Sequence, residues 1–374
     1  MCNYDKFIEY LKANKEKFIQ GAELQKQLWN GDKPDKQPLL LSCMLDEETN
    51  ALFPAYNSKE IHYDTEKMFV NGLKEMLSTA YGGMDAVPSM RANMGCGIFP
   101  TLFPGISQEL FEDKMPWVQN HLTKEELSNM TAGDLKISDE FKTGLEHMAY
   151  MAEKLSDTGC YVYPMDLQGP FDIAHLVYGD AIFYDLYDDP DFIHHLLSLS
   201  CKAIFMGMEE CFKAIPFSDN VVAHYNNLII PRAKGGIKTS EDTSTLLSKE
   251  QIEQFVVPYL KKVLSYFGGG YVHYCGRNPY LFEALMDIPL VYGINFGNPE
   301  MHDMEYVLSR CAEKNKVYYG TIPKNTSESL TEYFTRLLKA SRKDDRSLLL
   351  LAYTTDMKEK ETVIEAWHEA NLSL

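Results

Sequence analysis

The stretch Tyr271-Val272-His273-Tyr274-Cys275-Gly276-Arg277-Asn278 holds the richest set of reactive side chains in the chain. Side chains alternate across an extended strand, so His273 and Cys275 fall on one face. Imidazole and thiolate together suit Zn2+, and a metal held this way can deprotonate an incoming thiol. The plainer alternative is a packed strand, with His273 hydrogen-bonded and Cys275 filling space. Other candidates stand where short apolar runs end. Asp166, in Tyr163-Pro164-Met165-Asp166-Leu167-Gln168-Gly169-Pro170, is placed either to accept a substrate hydrogen bond or to cap a helix. Arg91 and Asn93 follow Val87-Pro88-Ser89-Met90, and Asn295 ends Gly293-Ile294-Asn295. A salt-bridged loop and a turn are the ordinary roles for such residues. Gln168, Arg277 and Tyr319 lie beside the same run ends and add candidate substrate contacts. Ser240-Glu241-Asp242-Thr243 offers carboxylates or a cap, and Cys96 is either a reactive thiol or a small buried hydrophobe.

Two apparent signals carry less. His194-His195 lies in a helical stretch, where adjacent side chains splay apart, and Glu209-Glu210 reads as a solvated helix face. No Gly-x-Ser-x-Gly elbow, phosphate-binding loop, Cys-x-x-Cys or His-Glu-x-x-His is present, which disfavours serine hydrolases, nucleotide-driven enzymes and zinc proteases.

The elements that must position these residues follow a rhythm from about Val87 onward. Cys160–Tyr163, Asn220–Ala223, Tyr271–Cys275, Leu290–Asn295, Lys316–Gly320 and Leu348–Tyr353 are short apolar runs, each followed by a helical stretch. Parallel strands need crossover helices, so the alternation predicts an α/β protein with a parallel sheet. The number of units fits a single (β/α)8 barrel, and Phe267-Gly268-Gly269-Gly270 precedes a strand, the wrong order for a dinucleotide turn. In such barrels chemistry sits where strands end. Residues 1–86 read as an N-terminal helical extension packed on a barrel of residues 87–374. Helical spacing runs from Asp5 to Leu28, Asn30-Gly31 breaks it, and a helix over Thr65–Ala80 ends at Gly82-Gly83.

Composition narrows the partners. The 374 residues carry 36 Lys+Arg against 54 Asp+Glu, a formal charge of −18, which opposes a grip on nucleic acid. No apolar run is long enough to span a bilayer, and the eight cysteines are scattered rather than framed for disulfides. The start lacks a secretory pattern, so the expectation is a reduced, cytoplasmic protein with a small-molecule substrate.

Asp166-Leu167-Gln168-Gly169-Pro170-Phe171-Asp172, then Gly179, Asp185-Leu186 and Asp189-Pro190, resemble the central region of the uroporphyrinogen decarboxylase superfamily. So do Leu247-Ser248-Lys249-Glu250-Gln251, Val257-Pro258-Tyr259 and His273-Tyr274-Cys275-Gly276. The resemblance is collinear from roughly Val87 to the C-terminus and implies a single (β/α)8 barrel. The superfamily includes tetrapyrrole decarboxylases and corrinoid (cobalamin)-dependent methyltransferases of the methylcobamide:coenzyme M type. The decarboxylases grip substrate carboxylates with an N-terminal arginine-rich signature, but no arginine precedes Arg91 here. The methyltransferase branch binds zinc through His-x-Cys and a later cysteine. His273 and Cys275 match the first two ligands, whereas Leu350–Asp356 holds no cysteine. Asp242, Glu241, Asp356 and Cys96 are the candidate replacements. The resemblance thus implies methyl transfer between a corrinoid on a partner protein and a small thiol or folate acceptor, assisted by zinc, with Asp166, Arg91 and Asn295 positioning the substrate. The alternatives are a metal-free tetrapyrrole decarboxylase and a non-catalytic corrinoid or tetrapyrrole-binding protein.

Overall fold

The computed structural model describes residues 4–215, 220–225 and 227–373. Eight parallel segments organise it: β1 (Leu39–Cys43), β2 (Ser89–Met90), β3 (Tyr161–Val162), β4 (Lys238–Ser240), β5 (Gly270–Tyr274), β6 (Val291–Phe296), β7 (Val317–Gly320) and β8 (Leu349–Thr355). Six of them form one parallel sheet in the order β1-β8-β7-β6-β5-β4. β2 and β3 form a separate parallel pair. A parallel bridge between Gln168 and Ser240 ties the chain just past β3 to β4. Among the described residues no ladder joins β1 to β2, so the pairings define an open six-stranded sheet and not the hydrogen-bonded ring expected from the sequence.

The strands form because both of their faces are covered. Leu39-Leu40-Leu41 and Leu348-Leu349-Leu350-Leu351 are continuous apolar runs, and all are buried, as parallel strands between two layers should be. Alternation then divides them. Leu40, Tyr271, Val317, Tyr319, Leu348 and Leu350 share one apolar cluster with Trp29, Leu228 and Ile230. Leu39, Leu41, Val272, Tyr274, Tyr318, Leu349 and Leu351 belong to the large cluster that includes the crossover helices.

Three differences from the sequence reading matter for the site. First, residues 1–86 do not form a purely helical appendage: β1 adds to the sheet beside β8, and Trp29 packs where only a glycine fits. A Cβ on Gly293 would lie 2.6 Å from the Trp29 ring. Second, Val221–His224 does not join the parallel sheet. It pairs antiparallel with Leu228–Pro231, and the parallel strand is the polar Lys238-Thr239-Ser240. Third, the stretch from Pro170 breaks into Pro170–Tyr178 and Ile182–Asp188 at Gly179, whose φ of 77° favours glycine. The seven cysteines among the described residues are free, and no described helix is long and apolar enough to cross a membrane.

Candidate metal centre and adjoining cavity

His273 lies two residues beyond the inward-facing Tyr271 on β5, so its ring falls on the same face at the carboxyl end of the sheet. Cys275 follows at the strand's end. β4 runs alongside in register, with Ser240 opposite His273, and the Glu241 N–H donates to the His273 carbonyl at 2.8 Å. The chain leaving β4 therefore passes directly over His273 and delivers Asp242. The Asp242 carboxylate accepts the Cys275 backbone N–H at 2.5 Å and lies 3.8 Å from His273 Nε2. Cys275 Sγ is 3.5 Å from that same nitrogen. One ligand atom from each of Asp242, His273 and Cys275 falls within 4.8 Å of the others.

The surroundings hold this trio in place. Asp172 accepts the backbone N–H groups of Asp242 and Thr243 at 2.7 and 2.8 Å, bracing the loop. His273 Nδ1 pairs with Asn295 Oδ1 from β6. An oxygen acceptor there puts the proton on Nδ1 and leaves the Nε2 lone pair pointing at Asp242 and Cys275, which is how metal-binding histidines are usually oriented. Burial, joined by the nearby Lys238, lowers the His273 pKa. Burial and the Asp242 charge push the Cys275 thiol up to about 11. A neutral imidazole, a thiol that a cation would deprotonate and a carboxylate form a donor set that fits Zn2+.

A charged network lies one layer deeper. Asp166 is 3.2 Å from Arg91 Nη1 and 3.1 Å from Lys238 Nζ. Lys238 also donates to Ser240 Oγ at 2.7 Å and sits 4.7 Å over the Tyr225 ring. Burial opposes the Asp166 charge, but Lys238 and Arg91 outweigh it and hold the carboxyl well below its ordinary range. Beside this network opens a cavity of about 400 Å3, whose walls include Glu75, Arg91, Asn93, Tyr163, Tyr225 and Tyr319. The Tyr225 ring stacks on Tyr319 at 6.2 Å and stands 5.9 Å from the His273 ring, so Tyr225 lies between the cavity and the Asp242, His273 and Cys275 trio. Tyr319 is fixed by a 2.5 Å hydrogen bond to Asn227 Oδ1.

Of the residues singled out in the sequence, His273, Cys275, Asp242 and Asn295 come together, and Asp166, Arg91, Asn93 and Tyr319 line or support the cavity. Others do not join them. Glu241 turns inward, accepts Ser244 Oγ at 2.8 Å and lies outside the trio. Burial and the Asp172 charge raise its pKa. Asp356 is exposed beyond β8. Cys96 is buried, and burial with the Asp166 charge raises its thiol to about 12. Gln168 is buried and serves through its backbone bridge to Ser240. Arg277 is exposed, on a separate surface hollow with Lys249 and Tyr280. Another hollow, about 640 Å3, lies before the amino ends of β1 and β8, away from these groups. Lys238, Tyr225 and Glu75 were not singled out. For Lys238 the signal was its two-residue offset from Ser240, which places both on one face of a strand.

The class that fold and site define is an α/β protein whose reactive groups gather at the carboxyl edge of a parallel sheet, where ligands bind in such folds. The chain is similar to the solved structure of a methyltransferase from Methanosarcina mazei, with a TM-score of 0.65 and 14% identity over 93% of this chain and 97% of that one. At that identity the likeness is one of fold. No protein-family model matches the sequence, and no curated protein matches it.

Proposed function

We propose that the protein is a methyltransferase of the uroporphyrinogen decarboxylase superfamily, built as a (β/α)8 barrel, that moves a methyl group between a corrinoid on a partner protein and a small thiol or folate acceptor. The observation that carries this reading is the Asp242, His273 and Cys275 trio at the carboxyl edge of the sheet, with Asp242 taking the place of the absent late cysteine. The fold shared with a methyltransferase supports it. So do the parallel contacts, which leave only the β1–β2 step unpaired among the described residues.

Zinc bound by Asp242, His273 and Cys275 would supply Lewis acidity, lowering the pKa of an acceptor thiol. The chain's own residues do the rest. Asn295 keeps the His273 proton on Nδ1, and the Asp172-braced loop keeps Asp242 facing it. Tyr225 and Tyr319 form part of the wall of the substrate cavity, and Asp166 holds Arg91 in that wall with Lys238 behind it. For the corrinoid-carrying partner, the support is surface chemistry. Met44, Leu246, Tyr280, Met301 and Met357 are exposed, each a few residues past the carboxyl end of a parallel strand. Exposed apolar side chains gathered on one edge suit a macromolecular contact.

The decarboxylase alternative needs Asp166 to stabilise a new positive charge. Asp166 already faces two cations, so the geometry favours methyl transfer. Elemental analysis of protein purified without chelator tests the reading. Near-stoichiometric zinc, lost in His273→Ala, Cys275→Ala and Asp242→Ala, is the expected result. A parent protein that takes up no zinc on reconstitution overturns the metal centre, and methyl transfer undiminished in the His273 and Cys275 variants overturns the reaction.

A further inference from the structure

We infer that the cavity of about 400 Å3 binds a small α-amino acid as a zwitterion, its carboxylate on Arg91 and its ammonium on Asn93 and Glu75. The inference rests on the methyltransferase reading only in taking this cavity as the substrate site.

Three features of the cavity wall point to such a ligand. Arg91 pairs with Asp166 through Nη1, while a guanidinium offers five N–H donors in a planar fork. Arg91 also lines the cavity, so it can engage a second carboxylate alongside Asp166. Asp166 and Lys238 do not line the cavity, so Arg91 is the cation it presents to a ligand.

Asn93 lies two residues past Arg91 and lines the same cavity. Its Oδ1 is buried and has no hydrogen-bond partner. An unpaired buried acceptor is unfavourable unless a donor reaches it. A ligand meeting both residues therefore carries a donor close to its carboxylate.

Glu75 selects which donor. It lines the same cavity, and Asn71 Nδ2 donates to its Oε1 at 3.5 Å. Its side chain is exposed at the cavity's rim. A cationic donor is matched by this acid in a way that a hydroxyl is not. The Tyr163, Tyr225 and Tyr319 rings complete the wall with faces that tolerate both an ammonium and an aliphatic side chain. The two poles are thus fixed by residues from different elements, Arg91 and Asn93 after β2 and Glu75 on the Thr65–Gly82 helix, and the ligand's side chain is left free to extend towards Tyr225.

Isothermal titration calorimetry of the full-length protein with L-norleucine tests this. Hexanoate and pentylamine, which keep one pole each, serve as controls. L-norleucine is expected to bind saturably, at least about tenfold more tightly than either control. Asn93→Ala and Glu75→Gln, which leave the Arg91–Asp166 pair intact, are each expected to weaken norleucine about tenfold and to leave hexanoate unchanged. Absence of saturable norleucine binding, or hexanoate binding as tightly as norleucine, overturns the inference. Because the readout needs neither zinc nor corrinoid, norleucine binding by a protein inert in methyl transfer would remove the proposed reaction alone. Methyl transfer by a protein blind to norleucine would remove this inference alone.

Discussion

Replacing Lys238 with methionine removes one of two cations from a buried carboxylate. Lys238 and Asp166 have side-chain exposures of 6% and 14% at a separation of 3.1 Å. At an effective dielectric of about 20, attraction across that distance is about 5 kcal/mol. Desolvation of the ammonium, which methionine does not suffer, offsets part of it, and Arg91 stays 3.2 Å from Asp166. Breaking a buried pair from one side costs about 3–5 kcal/mol, and the remaining arginine brings the expected loss for Lys238→Met down to about 2–3 kcal/mol. Asp166→Asn is expected to cost at least as much, because it leaves Arg91 and Lys238 facing each other without their anion. Urea unfolding of both single variants and the double variant measures the coupling, and the double variant is expected to fall short of the sum by about 2 kcal/mol. The pH dependence carries the same signature. The Asp166 pKa in the folded chain lies below its unfolded value of about 3.9, so its contribution is complete above that value and is lost as pH falls through the folded one. Lys238→Met raises the folded value and moves that acid loss to higher pH. Additive single-variant effects within about 0.5 kcal/mol, together with an unmoved acid limb, would refute the network as described.

Asn295→Ala is expected to weaken zinc binding by about 10–100-fold with little loss of stability, read by competition with a chromophoric chelator. An unchanged affinity would remove Asn295 from the metal centre. Gly169→Ala should destabilise the chain by about 1–3 kcal/mol in chemical denaturation, because its Cβ would lie 2.6 Å from the Ser240 carbonyl oxygen. His62 is fully buried, both ring nitrogens lack partners, and burial with the neighbouring His147 lowers its pKa to about 4. Its folded value lies below its unfolded value of about 6.5, so stability is complete above 6.5 and lost as pH falls towards 4. His62→Leu should abolish about 2 kcal/mol of the stability difference between pH 8 and pH 5, and an identical pH profile in the variant would contradict this.

What could be read from the sequence was local. His273 and Cys275 are two residues apart on an apolar strand, so alternation alone places them together. Glycine stops at Gly31 and Gly83 mark real helix ends, with φ of 91° and 72°. The residue that joins His273 and Cys275 was a different problem. Asp242, Glu241, Asp356 and Cys96 each offer a ligand atom, and the β4–β5 register, with Ser240 opposite His273, brings Asp242 to the trio while Glu241 turns to Ser244. Register is a long-range property that no local spacing encodes. The β4 strand itself was hidden for a related reason. Val221-Val222-Ala223 has the higher strand propensity, but it closes a hairpin with Leu228–Pro231.

The polar strand Lys238-Thr239-Ser240 takes this place in the sheet with its buried charge met by a partner. A lysine is tolerated at 6% exposure only where an anion meets it, and Asp166, at the end of the chain leaving β3, is that anion. The Gln168–Ser240 bridge then brings β3 and β4 together a few residues from where their side chains pair. The residues that position the candidate site are therefore also the ones that join the two halves of the parallel array. The same ion pair stands beside the cavity and ties β4 to the chain leaving β3, next to the loop whose aspartate stands over His273.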